Sequence, residues 1–489
     1  MTSAPKLLHT DGICLPSELL LDLQLDKLLS KQTLAVLRRV CDAREIARRN
    51  ELFSLPDRPA LTEKLEHALS VLRAHEKALE LLRDADIPLE RCYRQADVLH
   101  TYLASVELLQ SMRGLGSMFA DVADYFSAED TLLRHASMKS SLQKVRSLLG
   151  QMRIGVLSFA DRIRLTPEDT HSEFDRISKC AHALGFDTPR KKSHGTKPNR
   201  ALSDAICRLF ASETAQIEAE LAKYQGIRFD EPSAYIPELR FCIEILRLVQ
   251  KADALGIPHC IATIATYPQY RASALYDISL LAKNRTQIVP NDASFDTDEP
   301  FCFLLGANGG GKTTYLRALG INLLFFLAGC PVFAKRAEIY PFDTVLSHFP
   351  KDERFDNTGR LDEERKRVAQ MLADTRNKKA FLLLNETYSG TDEARGFALL
   401  TETASQIGDA HHFGLYVTHF HKVMALDVPV LSAEVDTSDE NKRTYRIVRS
   451  RGSTSSYALD ILKKYRLDKE SLTARREMHG NQSAASDAE

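Results

Sequence analysis

Residues 301–314 read FCFLLGANGGGKTT, and this stretch decides how the second half of the chain is expected to fold. Its apolar beginning predicts a buried strand, its glycines predict a tight turn, and residues 315–327 have the composition of a helix. The pattern G-x-x-x-x-G-K-[ST] has chemical meaning in this order of strand, loop and helix. The glycines let backbone N–H groups and the helix N-terminus point at a bound phosphate. The sequence therefore predicts a nucleotide site.

The glycine-rich loop supplies the predicted contacts to the nucleotide. Lys312 is expected to reach the β- and γ-phosphates, and the Thr313 hydroxyl is expected to ligate Mg²⁺. The cofactors predicted on this basis are ATP and Mg²⁺. The full set of predicted nucleotide-binding residues is Gly306, Ala307, Asn308, Gly309, Gly310, Gly311, Lys312, Thr313 and Thr314.

A second apolar strand is predicted at residues 380–384, and it is followed by Asn385 and Glu386. Glu386 is the predicted catalytic residue that orients and polarises the attacking water. Asn385 stands where an aspartate would normally help to hold Mg²⁺ through its waters. Because an amide keeps the oxygen but loses the negative charge, weaker metal affinity or slower turnover is expected. A plain surface carboxylate is the alternative interpretation of Glu386.

A third predicted strand, Phe413–Val417, is followed by His419. This histidine is expected to lie near the γ-phosphate as a hydrogen-bond sensor, and it is the second predicted catalytic residue. A purely structural histidine is the alternative.

The predicted fold class is α + α/β, with an all-helical region followed by a P-loop α/β domain. Helical periodicity runs through residues 31–255, and beyond it short apolar runs alternate with helical stretches, as in a mainly parallel sheet wrapped by helices. The predicted organisation is an N-terminal lead (1–30), a helical domain (31–255), a P-loop domain (262–470) and a disordered tail (471–489). The predicted strands of the P-loop domain are residues 301–305, 338–345, 380–384, 413–417 and 445–448.

The charge pattern leaves nucleic-acid binding open. The formal net charge of the 489-residue chain is −1, so any basic surface has to be local. One predicted loop, residues 186–200, could neutralise DNA phosphates in a salt-sensitive way that is blind to sequence. A solvated connector between two helices is at least as good an interpretation. The cations of this loop are Arg190, Lys191, Lys192, Lys197 and Arg200.

The expected location of the protein is the cytoplasm. The nine cysteines are scattered without a C-x-x-C pair, which is typical of buried thiols in a reducing compartment. The N-terminus lacks the basic-then-apolar layout of a signal peptide, and no apolar run is long enough to span a bilayer.

The motifs in and after the glycine-rich loop resemble, taken together, the C-terminal ATPase domain of the MutS mismatch-repair family. They cover residues 262–470 in the order and spacing of that family. The stretches that carry the resemblance are the glycine-rich loop with Tyr315-Leu316-Arg317, residues 337–343 (AEIYPFD), Asn385-Glu386, Ser389-Gly390-Thr391, Thr418-His419-Phe420 and residues 456–461 (SYALDI).

This resemblance implies a core and lever domain for the helical part of the chain and an ATPase domain for the P-loop part. It also implies an ABC-type ATPase that forms a homodimer, in which the partner subunit completes each nucleotide site. Leu361 and Asp362 stand where better-known members have Ser-Thr, so contacts to the γ-phosphate across the dimer are expected to differ in detail. The residues expected to act across the dimer are Thr358, Gly359, Ser389, Gly390 and Thr391.

The resemblance also implies an ATP-driven helical clamp on duplex, mismatched or branched DNA, with the loop at 186–200 at the place of the clamp. The Phe-x-Glu wedge of mismatch-reading members has no counterpart before the helical core, because the one such sequence lies at 229–231. A truncated branch of the family is therefore expected. The segment that flanks the adenine should match residues 287–291, where no aromatic residue stands. The alternative is a nucleotide-driven module that binds a protein partner and no DNA.

Overall fold

The structure is a computed structural model, and it describes residues 4–8, 11–152, 155–159, 162–166, 200–283, 288–350, 357–389, 392–435 and 443–450. The chain forms two compact units. Residues 1–7 and 60–240 form the first unit, and residues 8–59 and 241–489 form the second.

Helices and strands alternate in the second half of the chain, whereas the first half is mostly helical. The described α-helices are α1 (Ser17–Asp22), α2 (Lys31–Leu37), α3 (Ala43–Phe53), α4 (Arg58–Arg83), α5 (Pro88–Ser111), α6 (Ser117–Phe126), α7 (Glu129–Gln151), α8 (Arg200–Leu209), α9 (Ala211–Ala222), α10 (Ile236–Ala254), α11 (Lys312–Leu327), α12 (Asn357–Asp374) and α13 (Glu393–Asp409). The described strands are β1 (Gly155–Phe159), β2 (Arg162–Thr166), β3 (Thr263–Ile264), β4 (Tyr270–Leu275), β5 (Asn291–Phe295), β6 (Phe301–Leu305), β7 (Arg336–Ile339), β8 (Thr344–His348), β9 (Ala380–Asn385), β10 (Phe413–Val417), β11 (Val430–Val435) and β12 (Arg443–Arg449). This mixture of helix and sheet confirms the predicted combination of α and α/β elements. The prediction that the first half is all-helical is wrong, because β1 and β2 form an antiparallel pair within it.

The first unit is a helical body that also carries the antiparallel pair β1–β2. Its core is built from the apolar faces of α5, α6, α7 and α9, where residues three or four positions apart share one side of a helix. Phe229 belongs to this packing, because its ring meets that of Tyr102 at 5.1 Å between centroids. Core residues on these four helices include Leu99, Val106, Phe119, Val145 and Ile217.

Two sheets organise the second unit. The larger sheet has the strand order β12-β11-β6-β10-β9-β8, and all its pairings are parallel except that of β12 with β11. The smaller sheet has the order β3-β7-β4-β5 and mixes parallel and antiparallel pairs. Strands β6, β9 and β10 are buried along their whole length, as expected for parallel strands covered on both faces. Their carboxyl ends lie side by side, and the predicted catalytic residues follow two of them.

Helix α11 is buried on all sides because its sequence is mostly apolar on all sides, and every residue from 315 to 327 is buried, including Arg317 and Asn322. Gly320 lies where this packing is tightest. A Cβ atom there would come within 2.5 Å of Leu383 Cδ1 in β9 and 2.7 Å of Leu23 Cδ2 in the N-terminal segment. Contacts on two sides therefore fix the helix whose first residue is Lys312.

The single strand predicted at residues 338–345 is wrong. The structure has two strands there, β7 and β8, and they belong to different sheets. Pro341 lies between them, and proline cannot donate a backbone hydrogen bond to a sheet. The chain leaves the smaller sheet at this point and enters the larger one.

The N-terminal segment, residues 8–59, clusters with the second unit, although helical periodicity groups residues 31–59 with the first half of the chain. Arg49 of α3 is fully buried, and its guanidinium donates hydrogen bonds to Glu45 Oε1 at 2.7 Å and to the Ala328 carbonyl at 2.9 Å. Ser347 Oγ of β8 donates to Asp22 Oδ2 at 2.7 Å. These bonds connect the segment to the end of α11 and to the edge of the larger sheet.

Within the described residues, no helix combines the length and the apolar character needed to cross a membrane.

Candidate nucleotide site

The glycine-rich loop connects the end of β6 to the first turn of α11. The backbone φ angles of Gly306, Gly309 and Gly311 are 135°, 77° and 92°, and residues other than glycine rarely adopt such values. Gly306 is also close to a neighbouring strand, because a Cβ atom there would lie 2.8 Å from the Cβ atom of Ala433. The loop therefore needs glycine at Gly306 for both backbone and steric reasons. Gly311 is the residue immediately before α11, so the free N–H groups of this helix start at the loop.

Lys312 is the charged centre of the site. Its side chain is 4% exposed, and its ammonium donates hydrogen bonds to the carbonyl oxygens of Gly306 at 2.6 Å and Ala307 at 3.3 Å. The ammonium also lies 3.7 Å from Glu386 Oε1 and 3.4 Å from Asn308 Oδ1. Burial lowers the pKa of Lys312, and the carboxylate of Glu386 opposes this effect. The structure thus brings the predicted phosphate-binding cation and the predicted catalytic carboxylate together.

Thr313 and Asn385 form a second pair at the same place. Thr313 Oγ1 donates to Asn385 Oδ1 at 3.4 Å, which joins the first turn of α11 to the last residue of β9. Both atoms are uncharged oxygens of the kind that Mg²⁺ accepts together with water and phosphate oxygens. The described residues contain no group of three or more His, Cys, Asp or Glu side chains that could hold a metal ion. A magnesium ion here would therefore depend on these two oxygens, on water and on the nucleotide.

Glu386 follows β9 with an unusual backbone, because its φ is 47°. Its N–H donates to the Val417 carbonyl of β10 at 2.8 Å, and its side chain is 31% exposed. The carboxylate is thus anchored through its backbone while it keeps contact with solvent. This arrangement allows the side chain to accept a proton from a water molecule that also contacts a phosphate.

His419 lies two residues after the end of β10 and is exposed. Its ring packs against that of Phe420, with 4.3 Å between ring centroids. Desolvation is the largest influence on its pKa and lowers it, Glu386 raises it, and Lys312 lowers it. His419 is therefore within the electrostatic reach of both residues at the centre of the site.

A cavity of about 150 Å³ lies beside the glycine-rich loop. Ile288 and Val289 line it together with Gly311, Thr314 and the ring of Tyr445. A Cβ atom on Gly311 would be 3.4 Å from Tyr445 Cδ1, so the tyrosine ring stands directly against the loop. The lining combines apolar and aromatic side chains with the polar groups of Asp277, Asn291 and Thr314, a mixture that suits a flat base with polar edges.

Tyr445 lines the candidate site, although its place in the sequence does not predict this. It lies in β12, and Asn291 of β5 holds that strand through two hydrogen bonds. Asn291 Nδ2 donates to the Tyr445 carbonyl at 3.0 Å, and Asn291 Oδ1 accepts from the Ile447 N–H at 2.7 Å. Local sequence gives no sign of this contact, because it joins segments far apart in the chain. The segment at 287–291 does contribute to the cavity, as its residues Ile288, Val289 and Asn291 show.

The other predicted site residues are described in part. Thr358 and Gly359 lie in the first turn of α12, Ser389 follows the turn after β9, and Arg200 is the first residue of α8 and is exposed. Among the hydrogen bonds and ion pairs of the described side chains, none joins Ser389 or Arg200 to the pairs around Lys312. The predicted residues that lie outside the described part of the chain are Gly390, Thr391, Arg190, Lys191, Lys192 and Lys197.

Comparison with known proteins gives a match in the same half of the chain. Residues 302–481 match the protein family described as MutS domain V. The DNA mismatch repair protein MutS of Caldicellulosiruptor saccharolyticus is 26% identical over 187 residues, which are 36% of this chain and 21% of that protein.

Two further relatives give the same result. The DNA mismatch repair protein MutS 1 of Halobacterium salinarum is 26% identical over 186 residues, which cover 37% of this chain and 20% of the relative. The DNA mismatch repair protein msh-2 of Neurospora crassa is 29% identical over 141 residues, 28% of this chain and 15% of the relative. The chain thus spans about a fifth of the length of the curated relatives that it matches.

Proposed function

Since the chain belongs to the MutS family, whose domain V it matches, we propose that it binds and hydrolyses ATP and uses this reaction to act on DNA. The proposed site is the glycine-rich loop with Lys312, Thr313, Asn385 and Glu386. The names of the relatives suggest a role in DNA mismatch repair. The relatives are matched over only about a fifth of their length or less, so the function is proposed on the chemistry of the site in this chain.

One observation carries the proposal: the ends of β6 and β9 bring a buried ammonium and a partly exposed carboxylate within 3.7 Å of each other, beside a loop of positive-φ glycines. Lys312 would neutralise the β- and γ-phosphates, while the N–H groups of the loop and of the first turn of α11 bind their oxygens. Glu386 would take a proton from the attacking water.

The remaining site residues complete the proposed reaction. Thr313 and Asn385 would hold Mg²⁺, which neutralises charge on the phosphates when it is bound. His419 would donate a hydrogen bond from its imidazole N–H to an oxygen of the γ-phosphate. The cavity lined by Ile288, Val289 and Tyr445 would hold the base, with the tyrosine ring stacked on it.

The proposal includes a homodimer and a DNA-binding clamp, both of which rest on the family resemblance. Thr358, Gly359 and Ser389 would face the partner subunit, and ATP-dependent contacts at these residues would open or close helical arms on duplex, mismatched or branched DNA. The net charge of −1 favours the second candidate, an ATP-driven module that binds a protein partner instead.

Nucleotide binding and hydrolysis test the chemical part of the proposal. We expect Lys312→Ala to abolish ATP binding, because the phosphates lose their buried cation, and Glu386→Gln to bind ATP without turning it over. Isothermal titration with a non-hydrolysable ATP analogue and steady-state phosphate release measure the two effects. Lys335→Ala and Glu402→Gln, which change exposed residues of the same types, are the matched controls. Near-normal turnover by Glu386→Gln would refute its role as the base.

DNA binding tests the second part. Homoduplex, mismatched and branched DNA should compete for the purified protein across a salt series, with and without ATP. Binding that weakens steeply with salt and changes with ATP supports the clamp. If no DNA binds at low salt while ATP is hydrolysed, the protein-binding module is the correct function.

A further inference from the structure

The turn after β9, residues 386–388, adopts a backbone that favours glycine but contains none. The φ angles are 47° at Glu386 and 66° at Tyr388. Because a Cβ atom disfavours this region, surrounding contacts have to hold the turn in place. Glu386 is the proposed base, so any contact that holds the turn also fixes the place of its carboxylate.

A carboxylate from another element holds the backbone of Tyr388. The N–H of Tyr388 donates to Glu364 Oε2 at 3.0 Å, and Glu364 lies on α12 with 6% of its surface exposed. A hydrogen bond to a carboxylate is stronger than one to a neutral acceptor, and burial keeps water from competing for it. The Tyr388 ring is 2% exposed, and its hydroxyl lies 3.2 Å from Thr403 Oγ1 of α13.

Contacts from the sheet hold the other two residues of the turn. Thr387 Oγ1 lies 3.3 Å from His348 Nδ1 at the end of β8, and the Thr387 carbonyl accepts from the Tyr416 hydroxyl at 3.4 Å. Glu386 is bonded to β10 through its own N–H. The sheet thus fixes the start of the turn, while α12 and α13 fix its end.

Helix α12 also carries residues proposed to face the partner subunit. Gly359 lies in its first turn, five residues before Glu364, which is about one and a half helical turns. Because α12 is one continuous helix from Asn357 to Asp374, a displacement of its first turn would also displace Glu364. The carboxylate of Glu364 therefore joins the start of α12 to the turn that carries the base.

We propose that Glu364 is a positioning residue, which makes the placement of the Glu386 carboxylate depend on the placement of α12. The inference rests on the proposed ATP hydrolysis and adds a route by which the partner subunit would control it. A shift of α12 would weaken the bond to Tyr388, release the strained turn and move Glu386 away from the attacking water. Nucleotide binding by the loop would be unaffected, because the loop contacts neither Glu364 nor Tyr388 in the described hydrogen bonds.

Steady-state kinetics of three variants test this role. We expect Glu364→Ala to lower kcat by about tenfold or more while KM for ATP changes by less than about twofold, since binding and positioning are separate. Glu364→Gln should recover most of the rate, because its amide oxygen can still accept from the Tyr388 N–H. The control Glu363→Ala changes a neighbouring side chain that is 64% exposed, and it should behave as the wild type. An unchanged kcat in Glu364→Ala, or no recovery in Glu364→Gln, overturns the proposal.

Hydrogen–deuterium exchange of the nucleotide-free protein separates this proposal from the proposed function. In Glu364→Ala the Tyr388 amide should exchange at least about tenfold faster than in the wild type, while amides of the glycine-rich loop keep their rates. If the wild type hydrolyses no ATP, the proposed function fails, and exchange at Tyr388 alone decides whether Glu364 holds the turn. Unchanged exchange at Tyr388 contradicts the proposal whatever the activity.

Discussion

Two segments of the site, the glycine-rich loop and the turn after β9, hold left-handed backbone by opposite means. The loop uses glycine at its positive-φ positions, with φ of 135° at Gly306 and 92° at Gly311. The turn uses Glu386 and Tyr388, with φ of 47° and 66°. Glycine adopts such angles without help, whereas the turn needs contacts such as that of Glu364. The local sequence therefore specifies the loop, and packing specifies the turn.

This difference has a functional consequence. A loop whose shape is local can bind phosphate in any state of the surrounding protein. A turn held by another helix can place its carboxylate only when that helix is in place. The two steps of the proposed reaction, binding and hydrolysis, would thus respond differently to a change in α12.

The largest expected effect concerns the loop. Gly306→Ala should weaken ATP binding by roughly 100-fold or more, because the new Cβ atom would clash with Ala433 at 2.8 Å and the φ of 135° becomes strained. Calorimetric titration of the nucleotide measures the loss.

The matched control for this variant is Gly408→Ala near the end of α13. A Cβ atom there meets nothing within 4 Å, and its φ is not in the left-handed region. We expect unchanged nucleotide affinity and a gain of about 0.5 kcal/mol in the free energy of unfolding. If Gly306→Ala binds ATP as tightly as the control does, the loop does not need glycine at this position. The claim that local sequence specifies the loop is then wrong.

The next effect concerns Tyr388 and is measured as the free energy of unfolding in urea. Tyr388→Gly loses about 3–5 kcal/mol of buried aromatic packing but is relieved of about 1–2 kcal/mol of backbone strain, so the net loss should be about 1–4 kcal/mol, which is smaller than packing alone would give. Tyr388→Phe keeps the ring and should lose only about 1 kcal/mol with the hydrogen bond to Thr403. A loss in Tyr388→Gly as large as that expected from packing alone would mean that the turn stores no strain.

The same distinction explains what could be predicted from the sequence. The glycine-rich loop and the strands Phe301–Leu305 and Phe413–Val417 were found by spacing and composition, because their shape depends on neighbouring residues. The short strands β1, β2, β3, β4, β5 and β11 were not predicted, since each depends on pairing with another strand more than on its own sequence. The strand expected at 338–345 was wrong for a related reason, as Pro341 sends the chain from one sheet into the other.

Contacts between side chains that are far apart in the sequence could not be predicted either. Tyr445 comes to the loop through bonds to Asn291, and Glu364 reaches Tyr388 from a separate helix. Neither residue belongs to a motif with a fixed spacing. The residues found from sequence belong to motifs of fixed spacing, whereas Tyr445 and Glu364 reach the site only through tertiary contacts.

The smallest expected effect is a change in the pKa of His419, which reports the place of Glu386 without any nucleotide. The negative charge of Glu386 favours the protonated imidazole and raises this pKa, whereas Lys312 lowers it. Glu386→Gln should therefore lower the pKa further, and Lys312→Ala should raise it. In NMR titrations, the signal of His419 is identified by its loss in His419→Gln. Since desolvation already holds the pKa of His419 below its ordinary value, the titration of its imidazole is expected on the acid side of neutral pH.

The same titration of Glu364→Ala tests whether Glu364 holds the turn or whether the contacts from the sheet hold it without Glu364. If Glu364 holds the turn, its loss lets Glu386 move away, and the pKa of His419 should fall as it does in Glu386→Gln. Glu363→Ala, which removes a charge from the exposed side of α12, should leave it unchanged. An unchanged pKa in Glu364→Ala would mean that the sheet contacts of residues 386 and 387 suffice. The turn would then be as independent of the rest of the protein as the glycine-rich loop.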